Sequence, residues 1–428
     1  MPVLTQQKEM VRLCVGCGIC LGLCTTHAIK LKATKGVLTV NFDYSRCTNC
    51  GMCIKACPAI FNLYRGDSKI ADVLGKIDKI FFGYSTDHNV RYHGASGGVV
   101  TALTCYMLRR RLVDKVLVVK MTKFTTDALL TGSEHDVMSA QGSIYFKTFS
   151  LRLLPELLYD ARKGKRICIV GLPCQISALK RVMRGFESKL YFIGLVCNHV
   201  NEIWYLEYVV KKYLPRNARP ISIGSRKNGW PGRIKMVFSL NKGLEELSIP
   251  SGEFFLLDVS SPLGCILCAD HLAATADIVA GDAWHPKFIG KNSSGVSIIM
   301  IRTIKGLELV QDAIRDRVLY AGETGLRDLL VTQGDHVVEG TRYAPLRKKL
   351  LKRNIIVLLE LRNLDELMVA LLYIVKDLVS RFKILRRFLG TCLAEKSLLV
   401  IVIFLNKQKR RLSLLLLKHN SVSVTSRR

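Results

Sequence analysis

Long apolar runs are missing from this 428-residue chain. The longest, residues 398–405 and 367–375, fall far short of the roughly 20 residues a membrane-spanning helix requires, so no span is expected. Residues 1–12 are polar and lack both the apolar core and the small-residue cleavage site of an export signal. A reducing, cytoplasmic setting is the expectation, and there clustered cysteines bind metal or do redox work more often than they form disulfides. GxGxxG, GxxxxGK[ST] and HExxH are all absent, which removes the standard dinucleotide fold, the P-loop and the zincin helix. Acidic residues are scarce: 34 Asp and Glu face 64 Lys and Arg, a formal +30. With 49% hydrophobic residues, disorder is excluded as the dominant state.

What the chain does have is cysteine, 15 in all. Cys14, Cys17, Cys20 and Cys24 read C-x2-C-x2-C-x3-C, and Cys47, Cys50, Cys53 and Cys57 repeat that spacing 33 residues on, with Gly18 and Gly51 in the same slot. This is an internal duplication. Three thiolates at short spacing wrap one corner of an iron–sulfur cube, and the fourth reaches across to the other cube. The expected ligand sets are therefore Cys14, Cys17, Cys20 and Cys57 for one [4Fe–4S] cluster, and Cys47, Cys50, Cys53 and Cys24 for the other. Zinc, the alternative, favours paired C-x2-C halves. The stretch resembles bacterial two-cluster ferredoxins over about residues 10–65, with Thr25 where those carry proline.

Beyond it, short apolar runs at 115–120, 166–170, 190–196 and 297–302 read as strands, and 98–110 and 175–184 read as helices. An α/β domain follows. Gly94-Ala95-Ser96-Gly97-Gly98 precedes the first helix; its bare N–H groups could hold a phosphate, or it is a plain N-cap. Cys174, Cys197, Cys265 and Cys268 are dispersed, and spacing alone leaves zinc, a cluster or simple burial open.

Seven ordered motifs carry a resemblance. They are Ala95-Ser96-Gly97-Gly98-Val99-Val100-Thr101-Ala102-Leu103, Gly142-Ser143-Ile144-Tyr145, Gly171-Leu172-Pro173-Cys174-Gln175-Ile176, Cys197, Gly229-Trp230, Cys265-x2-Cys268, and the run from Ala276 to Trp284. Together they resemble the coenzyme F420 hydrogenase/dehydrogenase beta-subunit family over roughly residues 80–345. The resemblance implies an FAD-containing α/β domain with a further [4Fe–4S] cluster on Cys174, Cys197, Cys265 and Cys268. For the flavin phosphates it points to Ser96, Gly97, Gly98 and Thr101, with Ser143 and Tyr145 next. Family members commonly show Ser-Lys-Tyr at 143–145; Ile144 removes that charge here, and Lys147 is a candidate substitute.

The expected architecture is an N-terminal α+β bacterial-type ferredoxin domain (1–70), an α/β main domain in two parts (80–190 with the flavin loop, 191–345 with the third cluster) and a helical extension (346–428). The expected function is an iron–sulfur flavoprotein oxidoreductase whose two-electron acceptor is coenzyme F420 or a metabolite, for instance in polysaccharide biosynthesis, to which the resemblance also leads. The alternatives are an electron-carrier subunit without its own substrate and a zinc-binding interaction module. A redox protein such as ferredoxin is the expected partner beside a small-molecule substrate. Asp282 lines the substrate side or merely turns a loop, and no catalytic residue is assigned. His93, His199, His271, His285 and His336 show no ligand spacing, His93 standing nearest the glycine turn; Cys105, Cys168 and Cys392 fall in apolar stretches and read as buried and inert. From residue 342 onward 20 Lys and Arg meet 5 Asp and Glu. With Leu364, Leu367, Met368, Leu371, Leu372 and Val375 at helical spacing, this tail reads as a basic amphipathic helix that packs on the main domain or rests on the anionic inner face of a membrane. It is poor in aromatics and carries no recognised nucleic-acid motif, so no such partner is expected.

Overall fold

The computed structural model describes residues 3–34, 36–240, 243–254 and 260–353. The basic tail from residue 354 on, with Cys392, lies outside the described residues. Among the described residues no helix is long and apolar enough to cross a membrane.

The N-terminal part is helix Val3–Arg12, the short helices Ile19–Leu23 and Met52–Ala56, helix Pro58–Tyr64 and an antiparallel hairpin of β1 (Ile29–Thr34) and β2 (Val37–Phe42). The duplication seen in the cysteines recurs in the backbone. Gly18 and Gly51 each cap the following short helix in the left-handed region, at φ 86° and 70°, a conformation glycine adopts at no steric cost.

The main body is one eight-stranded sheet assembled from β3 (Lys79–Ser85), β4 (Lys115–Thr122), β5 (Thr125–Thr131), β6 (Ile167–Gly171), β7 (Leu190–Leu195) and three strands from later in the chain. Between the two groups, β8 (Arg219–Ile223), β9 (Arg233–Leu240) and β10 (Gly243–Pro250) form a separate antiparallel sheet. The last three main-sheet strands are β11 (Ile278–Asp282), β12 (Ser297–Ile301) and β13 (Leu319–Thr324), and the order is β13-β3-β12-β11-β7-β6-β4-β5. Pairing is parallel through β4, β6, β7 and β11 and antiparallel towards both edges. Strands covered on both faces read as unbroken apolar runs, which is why β6 and β12 stood out in the sequence; every residue of β12 is buried. Helices Val99–Arg109 and Pro173–Val182 lie where the periodicity placed them.

The N-terminal part is docked on this body by main-chain bonds: Phe149 N donates to Gly16 O (2.7 Å), Leu151 N to Cys17 O (2.9 Å) and Trp204 N to Gly36 O (2.8 Å). After β13, helix Leu326–Val338 runs through a π-helical turn, Glu339–Tyr343, into Ala344–Arg353. The Arg347–Glu339 ion pair (2.7 Å) ties that turn to the last helix.

Candidate redox centre

The carboxyl ends of β6 and β7 lead directly into Cys174 and Cys197, and Cys265 sits in the short helix Leu263–Ile266 with Cys268 just beyond it. In open sheets of this kind, ligands gather beyond the carboxyl ends of the parallel strands. Burial first, then Cys17, Cys197, Cys265 and Cys268, drives the Cys174 thiol far up, so all four dispersed cysteines share one neighbourhood that borders Cys17. The Cys268 thiol, raised to about 12 by burial ahead of Asp270 and Cys265, also accepts from Asn62 Nδ2 at 3.6 Å, across from the N-terminal part.

The duplicated runs pair crosswise. One small cavity has Cys14, Cys17, Cys20 and Cys57 in its wall, closed by Met10, Val15, Ile19, Val40 and Phe149. Cys57 comes from the second run and the other three from the first. Its thiol is pushed up to about 12 by burial, with the Cys14 sulfur adding to the push. Cys53 is raised to about 11, again by burial, and its sulfur neighbours are Cys50, Cys47 and Cys24. Buried thiols with such values stay protonated by themselves, whereas a coordinating metal ionises them outright, so the donor chemistry fits iron–sulfur clusters. The two runs differ in exposure: Cys50 is open to solvent, while Cys17, Cys20 and Cys57 are buried. Among the described residues no three His, Cys, Asp or Glu side chains gather as the ligands of a single metal ion would; in a cube each thiolate binds its own iron, so the four sulfurs stand wider apart than that.

A cavity of about 490 Å³ opens at the same strand ends, within the range of cofactor pockets. Cys197 is in its wall, so the dispersed cysteine set borders it directly. Ser96, Gly98, Thr101, Ser143 and Tyr145 all line it. Gly97 does not: its N–H donates to Ser297 Oγ (3.1 Å), and a Cβ there would stand 2.7 Å from Gly83 O. The left-handed Gly98 caps helix Val99–Arg109 without a side-chain bond, leaving the first N–H groups of that helix for a phosphate. The glycine turn thus suits a phosphate group.

Lys147 is elsewhere. Its buried ammonium is bonded to Glu202 (2.6 Å) and Leu38 O (2.9 Å), under the N-terminal part, and does not replace the charge that Ile144 removes. The cation in the cavity wall is Arg226, which sequence reasoning missed. It donates to both carboxylate oxygens of Asp282 (2.8 and 3.0 Å) and to Ala95 O (2.9 Å), and Trp230 Nε1 donates to the same carboxylate (2.8 Å). Burial opposes the Arg226 charge, but Asp282 more than offsets it, and the pKa lies above the ordinary value. Asp282 is accordingly a wall residue that fixes a cation. Tyr145, raised to about 12 by burial, lies beside this pair.

His199 and His336 also line the cavity; His93, whose Nδ1 meets Asn89 O at 3.0 Å, does not. His271 stacks on His336 (5.4 Å, 13°), with Nδ1 at 2.8 Å from Cys197 O and Nε2 at 3.2 Å from Cys268 O. Cys105 and Cys168 are buried in the hydrophobic core, as their surroundings in the sequence implied.

Comparison with known proteins agrees with this arrangement. Residues 80–154 match the profile of the coenzyme F420 hydrogenase/dehydrogenase beta-subunit N-terminal domain, residues 164–325 that of its C-terminal domain, and residues 13–60 a 4Fe-4S dicluster domain. The chain is 25% identical over 323 residues to the coenzyme F420-dependent sulfite reductase of Methanocaldococcus jannaschii, covering 69% of this chain and 45% of that protein. It therefore spans less than half the length of that relative. With an F(420)H(2) dehydrogenase subunit of Methanosarcina mazei it shares 24% over 325 residues, 72% of this chain and 83% of the relative. With the chloroplastic 7-hydroxymethyl chlorophyll a reductase of rice it shares 26% over 222 residues, 50% of this chain and 45% of the relative. A chain of the F420-reducing [NiFe] hydrogenase complex of Methanosarcina barkeri has the same fold, with a TM-score of 0.50 at 21% identity over 68% of this chain and 95% of that one.

Proposed function

Because this chain belongs to the coenzyme F420 hydrogenase/dehydrogenase beta-subunit family and carries a 4Fe-4S dicluster domain ahead of it, we propose that it is an iron–sulfur flavoprotein relaying electrons between a protein partner and a two-electron acceptor. The observation that carries this reading is an order in space. The set of Cys47, Cys50, Cys53 and Cys24, of which Cys50 is exposed, leads to the set of Cys14, Cys17, Cys20 and Cys57, of which the last three are buried, then to Cys174, Cys197, Cys265 and Cys268, and finally to the cavity that Cys197 borders.

A flavin supplies the exchange between one-electron carriers and two-electron substrates. This chain's part is to hold and tune it. Gly98 and the first turn of helix Val99–Arg109 offer backbone donors, with Ser96 and Thr101 beside them, and Asp282 keeps Arg226 charged and immobile in the wall. The acceptor, coenzyme F420 or a metabolite, would approach the remaining wall, where Asn198, His199, Asp335 and His336 stand. The partner would dock at Cys50, whose chain neighbours include exposed Tyr44 and Met52 and the exposed cations Arg46 and Lys55, with Lys30 and Arg46 both near Asp43; an acidic one-electron carrier fits that face.

Anaerobic purification with iron, sulfide and flavin analysis tests the proposal. About twelve iron atoms and one flavin per chain are expected. Zinc as the main metal, or an empty cavity after flavin reconstitution, overturns it. Reoxidation of the dithionite-reduced protein by a panel of acceptors then separates an enzyme from a carrier subunit, which would respond only in the presence of another protein.

A further inference from the structure

Helix Pro173–Val182 carries Cys174 in its first turn and Arg181 two turns later. Arg181 does not stay on its own helix. After bonding Ser177 Oγ (2.7 Å), its guanidinium crosses to the N-terminal part, donates to Ala56 O (3.0 Å), the carbonyl next to Cys57, and lies 4.6 Å over the Phe61 ring. Its Nε is shielded from solvent and has no acceptor among the described residues. A cation in such a place needs a countercharge, because its lost hydration is costly. Among the described residues no carboxylate provides one. Burial pulls the Arg181 pKa down, and the groups that pull it back are the sulfurs of Cys57, Cys17 and Cys174. They belong to two different cysteine sets, one on each side of the domain junction.

We propose that Arg181 is the shared counter-cation of the two inner clusters and raises the reduction potentials of both where electrons cross from the N-terminal part to the main sheet. The inference rests on the cluster reading above. A four-thiolate [4Fe–4S] cube carries about −2 when oxidised and one more negative charge when reduced. A fixed positive charge beside it stabilises the reduced state more than the oxidised one. Since one guanidinium faces both inner sets, both potentials rise together. The difference between them changes little, and the pair is lifted relative to the outer set, whose sulfurs are not among those that act on Arg181. The outcome is an entry from the surface cluster that is more favourable than it would be without the guanidinium.

The test is a redox titration of the anaerobic full-length protein followed by electron paramagnetic resonance, for the wild type, Arg181→Met and Arg181→Lys. In R181M two of the three cluster potentials should fall, and the equilibrium constant for electron transfer from the outer to the inner set should drop about tenfold, roughly what 1.4 kcal/mol of lost charge stabilisation gives. The third potential stays in place, and R181K recovers most of the loss. Unchanged potentials, an equal shift of all three, or R181K behaving like R181M overturn the proposal. If R181M sheds inner-cluster iron and R181K keeps it, the countercharge role stands; if both shed it alike, packing of the guanidinium is responsible and the proposal falls. A wild-type chain without iron defeats the cluster reading itself, and the iron assay tells that apart from a failure of Arg181.

Discussion

The two cysteine runs have the same spacing and the same left-handed glycine, yet they occupy opposite surroundings. Around Gly18 the main domain is close: an added Cβ would stand 2.4 Å from Phe149 O. Around Gly51 it would meet nothing within 4 Å. Local sequence therefore sets the loop, and docking decides which copy is covered and which stays open.

The comparison can be broken first at the cysteines, where the expected effects are largest. Cys57→Ser should remove the cluster of the other copy, cutting iron by about a third and stopping electrons short of the cavity, while Cys24→Ser removes a third of the iron from the surface end. Iron analysis with electron paramagnetic resonance decides; loss confined to each residue's own run would show that the runs do not cross. Gly18→Ala and Gly51→Ala come next. G51A carries only the left-handed penalty, about 1 kcal/mol, whereas G18A must also displace Phe149 and should cost about 3 kcal/mol or more. Thermal unfolding monitored by cluster absorbance measures both, and equal losses would erase the distinction between covered and open copies.

A smaller effect concerns the open face. The double variant Arg46→Glu with Lys55→Glu should slow reduction by a small acidic ferredoxin about tenfold at low salt and weaken its salt dependence, leaving reduction by dithionite unchanged. The smallest effect belongs to the scaffold and serves as a control for both copies. Asp160 is buried, which pushes its pKa up, but hydrogen bonds from Lys115 and Lys165 more than offset this and hold it below the ordinary carboxylate value. A folded pKa below the unfolded one stabilises the fold above the unfolded value of about 3.9, and that stabilisation is lost as pH falls through the folded value. Asp160→Asn should accordingly be less stable at pH 7 and show a shallower loss in acid, with the iron content unaltered.

Much of this was legible in the sequence, for physical reasons. Cysteine runs are local, so their spacing marks both loops, and Cys57 stands in one cavity wall with Cys14, Cys17 and Cys20 of the other run. Strands β6, β7 and β12 are covered on both faces and so write themselves as apolar runs. The motifs at 95–103, 142–145 and 171–176 sit at one end of the sheet, and Ser96, Gly98, Thr101, Ser143 and Tyr145 from them line one cavity. What stayed hidden is long-range. Arg226 looks like one basic residue among 64 Lys and Arg until Asp282, 56 residues later, closes on it. Its place three residues before Gly229-Trp230 was the available signal. Lys147 is near Tyr145 in the chain, yet its partner Glu202 draws it under the N-terminal part. His199 and His336 show no spacing that marks them, because helix Leu326–Val338 reaches the cavity only through the tertiary fold.

That helix has a bearing on how such proteins diversify. It begins at Leu326, one residue beyond the matched C-terminal family domain, and still supplies Thr332, Gln333, Asp335 and His336 to the wall, with Gln333 Nε2 fastened to Asp282 O at 2.6 Å. Because Thr332, Asp335 and His336 stand on a helix and not on a strand, that part of the wall can change without altering the sheet, the glycine turn or the cysteine loops. Like an exchangeable die in a fixed press, one helix face can give the cavity a new outline while the sheet beneath keeps its shape.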